Sequence, residues 1–213
     1  MILKSQVVSI TVDGVQIAPT DDVRRSSRLI GLAGPAGVGK STVAQALVAC
    51  SRELFYGHPA ERLRFAGPLK DMLLALGLTR EQVDGADKET PCDLLGGKSA
   101  RIAMRTLGVE WGRTCIDPDL WVRATLKRAE QALLAGSTVV IDDVRFDNEA
   151  AAIRKLGGIV VKLQRDGVQA SNVHASEAGL SPLSIYCVVC NDATPEHAAR
   201  KIVALLTHRM TRP

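Results

Sequence analysis

From Leu29 onward, short apolar runs alternate with segments whose apolar positions recur every three or four residues. The runs at 29–33, near 62–66, and at 138–143, 158–164 and 184–190 read as strands. The segments at about 40–52, 68–77, 99–107, 118–135, 147–156 and 195–208 read as helices. Near-continuous apolar strands separated by helices predict an α/β fold, with a mostly parallel five-stranded sheet covered by helices on both faces. Ahead of this pattern, Val7–Val12 and Val15–Ile17 flank Asp13-Gly14, a two-residue hairpin signal, and a polar linker follows over 21–28. Residues 1–28 are therefore expected to form a hairpin extension, and 29–213 one domain. The hairpin can lie along a sheet edge or against a partner chain, and the pattern does not choose. Two stretches lack periodicity. Residues 84–98 read as a polar loop, and 166–183 fall between two strands, where a lid over about 165–183 is the favoured reading.

A chain of 213 residues with 46% hydrophobic residues can bury a sizeable core. Its 27 basic and 23 acidic residues leave a net charge of +4. That excess, with no basic run interleaved with aromatics, does not point to nucleic acid. No apolar stretch approaches a membrane span, and Met1–Gln6 does not begin a secretory signal. Five scattered cysteines argue against a disulfide framework, and a reducing cytoplasm is expected. Cys187 and Cys190 form a C-x-x-C, but on a strand they face opposite sides, so they are expected to be buried thiols rather than metal ligands.

The chemistry concentrates after the first strand of the alternating pattern. Gly34-Pro35-Ala36-Gly37-Val38-Gly39-Lys40-Ser41 reads G-x-x-x-x-G-K-S between a strand and a helix, the arrangement of a phosphate-binding loop. Its glycines let successive N–H groups converge on one anion, and the helix start adds partial positive charge. Gly34, Ala36, Gly37, Val38, Gly39, Lys40, Ser41 and Thr42 are expected to hold a nucleoside triphosphate, which the resemblance given below makes ATP. Lys40 reaches its phosphates, and the Ser41 hydroxyl is a ligand for Mg²⁺.

The apolar run Thr138–Ile141 ends in Asp142-Asp143-Val144-Arg145, placing carboxylates where the metal or its waters must be held. Strand alternation lets only one of the two aspartates face a given side. Asp143 is expected near acceptor and metal, with Asp142 as the alternative metal carboxylate. Arg145 suits a bidentate grip on an acceptor phosphate, or else a salt bridge to Glu149. Arg101, Arg105 and Arg113 cluster with Trp111 and Trp121. Several arginines suit phosphoryl transfer, though Arg101 and Arg105, four apart, equally suit a solvated helix face. In a chain with 3% aromatic residues, Trp121 either stacks on a base or fills a helix core. Arg165 ends a strand from which it can swing onto the transferring group. His174 is not needed as a base, because an acceptor phosphate is already ionised, and Ser176 and Glu177 read as a helix start or lid latch.

These residues resemble the deoxynucleoside monophosphate kinases found widely in bacteriophages, within the P-loop kinase superfamily. The matching segments are Gly31-Leu-Ala-Gly-Pro-Ala-Gly-Val-Gly-Lys40, Phe65-Ala-Gly-Pro-Leu-Lys70, Leu107-Gly-Val-Glu-Trp-Gly-Arg113, Pro118-Asp-Leu-Trp-Val122, Asp143-Val-Arg-Phe146 with Asn148-Glu149, His174-Ala-Ser-Glu177 and Asn191-Asp192. They run in order over residues 29 to 205. The resemblance implies a P-loop kinase fold and transfer of the ATP γ-phosphoryl group to a deoxynucleoside monophosphate, so the partners are small-molecule nucleotides, with a homodimer left open. It implies Lys40 as the phosphate bridge, and Asp143, Arg145 and Arg113 at the acceptor with Lys70, Arg101, Trp121 and Glu149. Arg165 would belong to the lid, and Asn191 would lie near the adenine. Three positions depart from the family pattern: Ser41 stands where many members carry Asp, Arg105 where Gln is expected, and Val109 where Thr is expected.

Other readings share the loop. A phosphomevalonate kinase-like or dephospho-coenzyme A kinase-like enzyme keeps the same cations. A nucleotide-driven switch is the alternative outside small-molecule kinases, although the guanine-reading Asn-Lys-x-Asp and the transporter Ser-Gly-Gly string are both absent.

Overall fold

The computed structural model describes residues 10–12, 15–17, 28–55, 57–168 and 180–210. In chain order the elements are β1 (Ile10–Val12), β2 (Val15–Ile17), β3 (Leu29–Ala33), α1 (Lys40–Ala49), α2 (Ser51–Leu54), β4 (Ala60–Leu63), α3 (Gly67–Leu76) and α4 (Arg80–Val83). There follow β5 (Pro91–Cys92), β6 (Lys98–Ser99), α5 (Ala100–Arg105), a π-helical stretch (Thr106–Ile116), α6 (Leu120–Leu134), β7 (Thr138–Val144), α7 (Asp147–Lys155), β8 (Ile159–Gln164), β9 (Cys187–Cys190) and α8 (Pro195–Met210). None of the described helices is long and apolar enough to cross a membrane. The chain divides into two compact units, Met1–Leu63 with Ala129–Pro213, and Arg64–Arg128.

The first unit is built on the order β1-β2-β9-β8-β3-β7-β4. The five strands β9, β8, β3, β7 and β4 are mutually parallel, as their unbroken apolar sequences predict. On one face Ile30, Leu32, Val140, Val161 and Leu163 pack with Val43 and Leu47 of α1 and with Ala198 and Ile202 of α8. On the other, a side chain at Gly31 would meet Ile153 of α7 at 2.7 Å, so the helix lies close over the sheet there. The chain leaves β3 for one side of the sheet (β4, β7) and later fills the other (β8, β9), which makes the carboxyl end of β3 the point where strand order reverses.

The hairpin lies along the sheet edge: β2 pairs antiparallel with β9, Ile17 opposite Cys187, and β1 is outermost. Several boundaries differ from the pattern. The second parallel strand spans Ala60–Leu63 rather than 62–66, because Phe65 and Ala66 turn into α3 with a proline near its start. The last spans Cys187–Cys190, since Pro182–Ser184 forms a 3₁₀ turn. Of the C-x-x-C pair only Cys187 is buried; Cys190 is exposed, correcting the expectation of two buried thiols.

The second unit holds Leu73, Leu78, Val83 and Ala100 as a small core, supported by Leu74, Leu95, Met104 and Leu107. Thr79 and Gln82 close a reciprocal capping box on α4. Residues 84–98 are not the featureless loop their polarity suggests: two 3₁₀ turns and a ladder pairing Pro91 with Ser99 order them. The helix expected over 99–107 continues as the π-helical stretch to Ile116. Glycines at 108 and 112 weaken such a segment locally. Trp121 compensates, its indole N–H donating to the Gly108 carbonyl at 2.8 Å while its ring covers Gly112.

That packing yields a prediction. A Cβ at position 112 would lie 2.5 Å from the Trp121 ring, which is buried and hydrogen-bonded and so cannot retreat. Alanine's better helix propensity opposes the clash by only about 1 kcal/mol, so Gly112→Ala should destabilise the chain by about 1 kcal/mol or more, read as a lower thermal melting midpoint.

Candidate active site

The turn from β3 into α1 has a conformation that its sequence alone permits. Gly34 and Gly39 take φ values of 132° and 92°. A side chain at Gly34 would strike the Leu163 carbonyl at 2.6 Å, and one at Gly39 would strike the Asn191 amide at 2.5 Å. Between them Val38 is fully buried, anchoring the loop in the core, while Ala36 and Gly37 are exposed. Helix α1 then starts with no capping side chain and no acidic residue in its first turn, and Ser41 and Thr42 are exposed there. Uncapped N–H groups at a helix start favour an anion. Lys40 lies across the loop, its ammonium donating to the carbonyls of Gly34 at 2.6 Å and Pro35 at 2.8 Å.

Beside this loop β7 carries the two aspartates. Gly31 pairs with Ile141 but Ala33 with Val144, so Asp142 and Asp143 together oppose the single residue Leu32. This bulge breaks the strict alternation expected of the strand, so alternation cannot assign the two aspartates to opposite sides. Asp142 lies on the face packed against α1, because Arg62, which pairs in register with Val140 of that face, reaches it. It is 2% exposed, and Arg62 of β4 donates to its Oδ2 through Nη2 and, at 3.0 Å, through Nε. Its Oδ1 is buried with no hydrogen-bond partner among the described residues. Asp143 is half-buried.

Arg145 follows β7 and is exposed; its guanidinium forms no ion pair among the described residues. Glu149, 2% exposed, holds this segment by its backbone, accepting the N–H of Arg145 at 2.8 Å and of Phe146 at 3.2 Å. Arg165 is exposed just past β8. Asn191, just past β9, is 6% exposed and donates its amide to the Val38 carbonyl at 2.9 Å, so it braces the phosphate loop. The loop, both aspartates, Arg145, Arg165 and Asn191 thus gather at the carboxyl ends of four strands of one sheet. Residues 169–179 of the expected lid, with His174, Ser176 and Glu177, lie outside the described residues.

Lys70, Arg101, Arg113 and Trp121 belong to the second unit. Trp121 is 4% exposed, so it is a core residue whose covered ring offers no face to a base; Trp111, its tilted neighbour at 6.1 Å, is 41% exposed. Arg101 is exposed and paired with Glu89 at 2.6 Å. Arg113 is half-buried, at the end of the π-helical stretch. Lys70 pairs with Asp84, which also takes Arg64 at 2.8 Å. Burial lowers the Lys70 pKa, against the opposing hydrogen bond to Asp84, and Arg64 adds to the lowering. Burial alone would raise Asp84, but the hydrogen bond and charge of Lys70, then those of Arg64, hold it below the ordinary carboxylate value.

Arg62, Asp84 and the bracing role of Asn191 escape a reading of the sequence. Only Arg62 leaves a signal there, as a charge inside the short strand Ala60-Glu61-Arg62-Leu63. The strand order, with the glycine loop at the carboxyl end of β3, is that of an α/β P-loop kinase fold.

Comparison with known proteins narrows this. The model of the deoxynucleotide monophosphate kinase family matches residues 96–202. A putative deoxynucleotide monophosphate kinase of Acanthamoeba polyphaga mimivirus is 32% identical over 199 residues, covering 83% of this chain and 94% of the viral protein. A solved APS kinase from Mycobacterium tuberculosis is similar with 17% identity and a TM-score of 0.45, over 85% of this chain and 97% of its own. The chain belongs to the deoxynucleotide monophosphate kinase family and is a phosphotransferase.

The Asp84 cluster gives a pH prediction. A carboxylate whose pKa is lowered on folding contributes stability above its unfolded value of about 3.8, and that contribution is lost as the pH falls through the folded value. Asp84→Asn should therefore melt at a lower temperature than the unaltered chain at pH 7, and the gap should shrink below about pH 4, as thermal denaturation across pH would show.

Proposed function

We propose that the loop Gly34–Thr42 holds ATP and that its γ-phosphoryl group passes to the phosphate of a deoxynucleoside monophosphate. The observation that carries this reading is the start of α1, where glycine-only backbone geometry delivers an uncapped helix end beside Lys40 and two exposed hydroxyls. Such an end suits a polyphosphate better than a neutral ligand. Lys40 exchanges its contacts to the loop carbonyls for phosphate oxygens and carries charge where it builds in the transition state.

The residues present also fit a divalent cation. The Ser41 hydroxyl is exposed at the helix start, and the buried Asp142 has an Oδ1 without a hydrogen-bond partner. Among the described residues no group of three His, Cys, Asp or Glu could hold a metal. Mg²⁺ in such kinases takes one or two protein oxygens, the rest coming from phosphates and water. When bound, Mg²⁺ would supply positive charge that offsets the negative charge of the phosphates. Ser41 and Asp142 are its expected ligands here.

Arg145 is the acceptor clamp in this reading. Its guanidinium is exposed and without an ion pair among the described residues, while Glu149 fixes its backbone. A planar fork matches the oxygens of a monophosphate, and masking those oxygens lowers the repulsion between two anionic reactants. Asp143, Arg113, Lys70 and Arg101 remain candidates for acceptor contacts, and Arg165 for the transferring group. No general base is required, because the attacking phosphate oxygen already carries negative charge.

The test is phosphoryl transfer from ATP to each of the four deoxynucleoside monophosphates. Lys40→Ala should lower kcat on the order of 10²- to 10³-fold. Arg145→Ala should raise KM for the monophosphate about tenfold or more, while KM for ATP stays within about twofold. An unchanged acceptor KM would remove Arg145 from the acceptor site, and hydrolysis without any nucleotide acceptor would point instead to a switch.

A further inference from the structure

We infer that Arg62 is a positioning residue for the metal-binding carboxylate: it fixes one oxygen of Asp142 so that the other is presented to the cation that accompanies the nucleotide. The inference rests on the nucleotide reading above and adds a residue that does not touch the substrate.

Three observations converge. Arg62 pairs in register with Val140, on the sheet face packed against α1, and reaches Asp142 on that same face beside the bulge. Both Nε and Nη2 of the guanidinium donate to Oδ2, Nε at 3.0 Å. Oδ1, on a side chain only 1% exposed, has no hydrogen-bond partner. Arginine at one oxygen and nothing at the other is an unusual arrangement for a salt bridge that serves folding alone. A fork engaging both oxygens would satisfy the carboxylate fully, whereas here the buried Oδ1 retains its lone pairs. The geometry matches an outer partner that orients a metal ligand without competing for the coordinating atom.

The strand order explains why this task falls to β4. Asp142 sits on β7, with the phosphate-loop strand β3 on one side and β4 on the other. A side chain reaching Asp142 from the flank away from the loop must come from β4, and the length of arginine lets a guanidinium reach past Val140 to the strand end. Lysine has the charge but lacks the planar pair of donors that sets the angle of the carboxylate.

The experiment reads metal binding rather than turnover. Mn²⁺ is titrated into the chain saturated with a non-hydrolysable ATP analogue, and bound ion is counted by the loss of the free Mn²⁺ resonance. Calorimetry with the analogue in EDTA gives nucleotide affinity without metal. Arg62→Met should weaken Mn²⁺ binding on the order of tenfold or more, the scale typical of removing a ligand's outer partner, with metal-free analogue affinity within about twofold. Asp142→Asn should lose Mn²⁺ at least as strongly, and adding Arg62→Met to it should bring no further loss. Should Arg62→Met fail to fold, Arg62→Lys keeps a charge near the carboxylate and decides the matter, again with weakened Mn²⁺ binding expected. Mn²⁺ affinity within twofold of the unaltered chain in a folded Arg62 variant would overturn the inference while leaving the nucleotide reading intact. Failure of the unaltered chain to bind the analogue would overturn the nucleotide reading itself, and this inference with it.

Discussion

Everything at this site depends on how tightly the chain turns from β3 into α1. The turn has no room for a Cβ at Gly34, where the Leu163 carbonyl stands, or at Gly39, where the Asn191 amide stands. Val38 is drawn into the core between these two points, and its carbonyl is tied to Asn191. The loop is therefore held by β8, β9 and the core together. A backbone fixed from several sides keeps its N–H groups aimed without reorganising when charge arrives, which is the condition for electrostatic preorganisation. The same constraint explains why α1 begins without a side-chain cap: its N-cap is Gly39, which has no side chain to accept from the first N–H groups as Ser or Asp would.

Charge handling follows a different logic in each unit. In the first, one carboxylate is almost wholly withdrawn from water beside a single arginine, and one of its oxygens is unsatisfied. Burying such a group costs more than one ion pair returns, so its retention points to a task beyond stability. In the second, the cations come with local partners: Lys70 and Arg64 share Asp84, and Arg101 meets Glu89. The exposed Arg101–Glu89 pair contributes little to stability, whereas the Asp84 pairs are half-buried. They keep long cationic side chains in place, and Lys70, with its lowered pKa, is the most desolvated of them.

The family makes this chain a phosphotransferase, and the structure shows how the side chains expected at the site are held. Arg145 presents an exposed guanidinium, but its backbone is set by the buried Glu149, so a residue expected at the substrate instead holds the Arg145 segment by its main chain. Asn191 likewise braces the loop from the end of β9. Trp121 is the clearest departure: its ring closes over Gly112 and its N–H is tied to the Gly108 carbonyl, leaving Trp111 as the more exposed of the two tryptophans. Short helical irregularities of this kind recur at functional sites, and this one ends in Arg113, one of the expected acceptor residues.

The parallel strands, the main helices and the phosphate loop were legible in the sequence, because each is encoded by neighbours within a few residues: apolar runs, helical spacing, glycines before a lysine. The hairpin was visible for the same reason, though its place on the sheet edge was not. Local pattern fails where the deciding partner is remote in the chain. The bulge that sets Asp142 and Asp143 against one residue of β3 arises from pairing between strands more than a hundred residues apart. Arg62 meets Asp142 across 80 residues, and Asn191 meets Val38 across 153. Periodicity fixes which face a side chain takes on its own element, but only the assembled sheet decides what stands opposite, since burial and hydrogen bonding act between surfaces that the linear chain keeps apart.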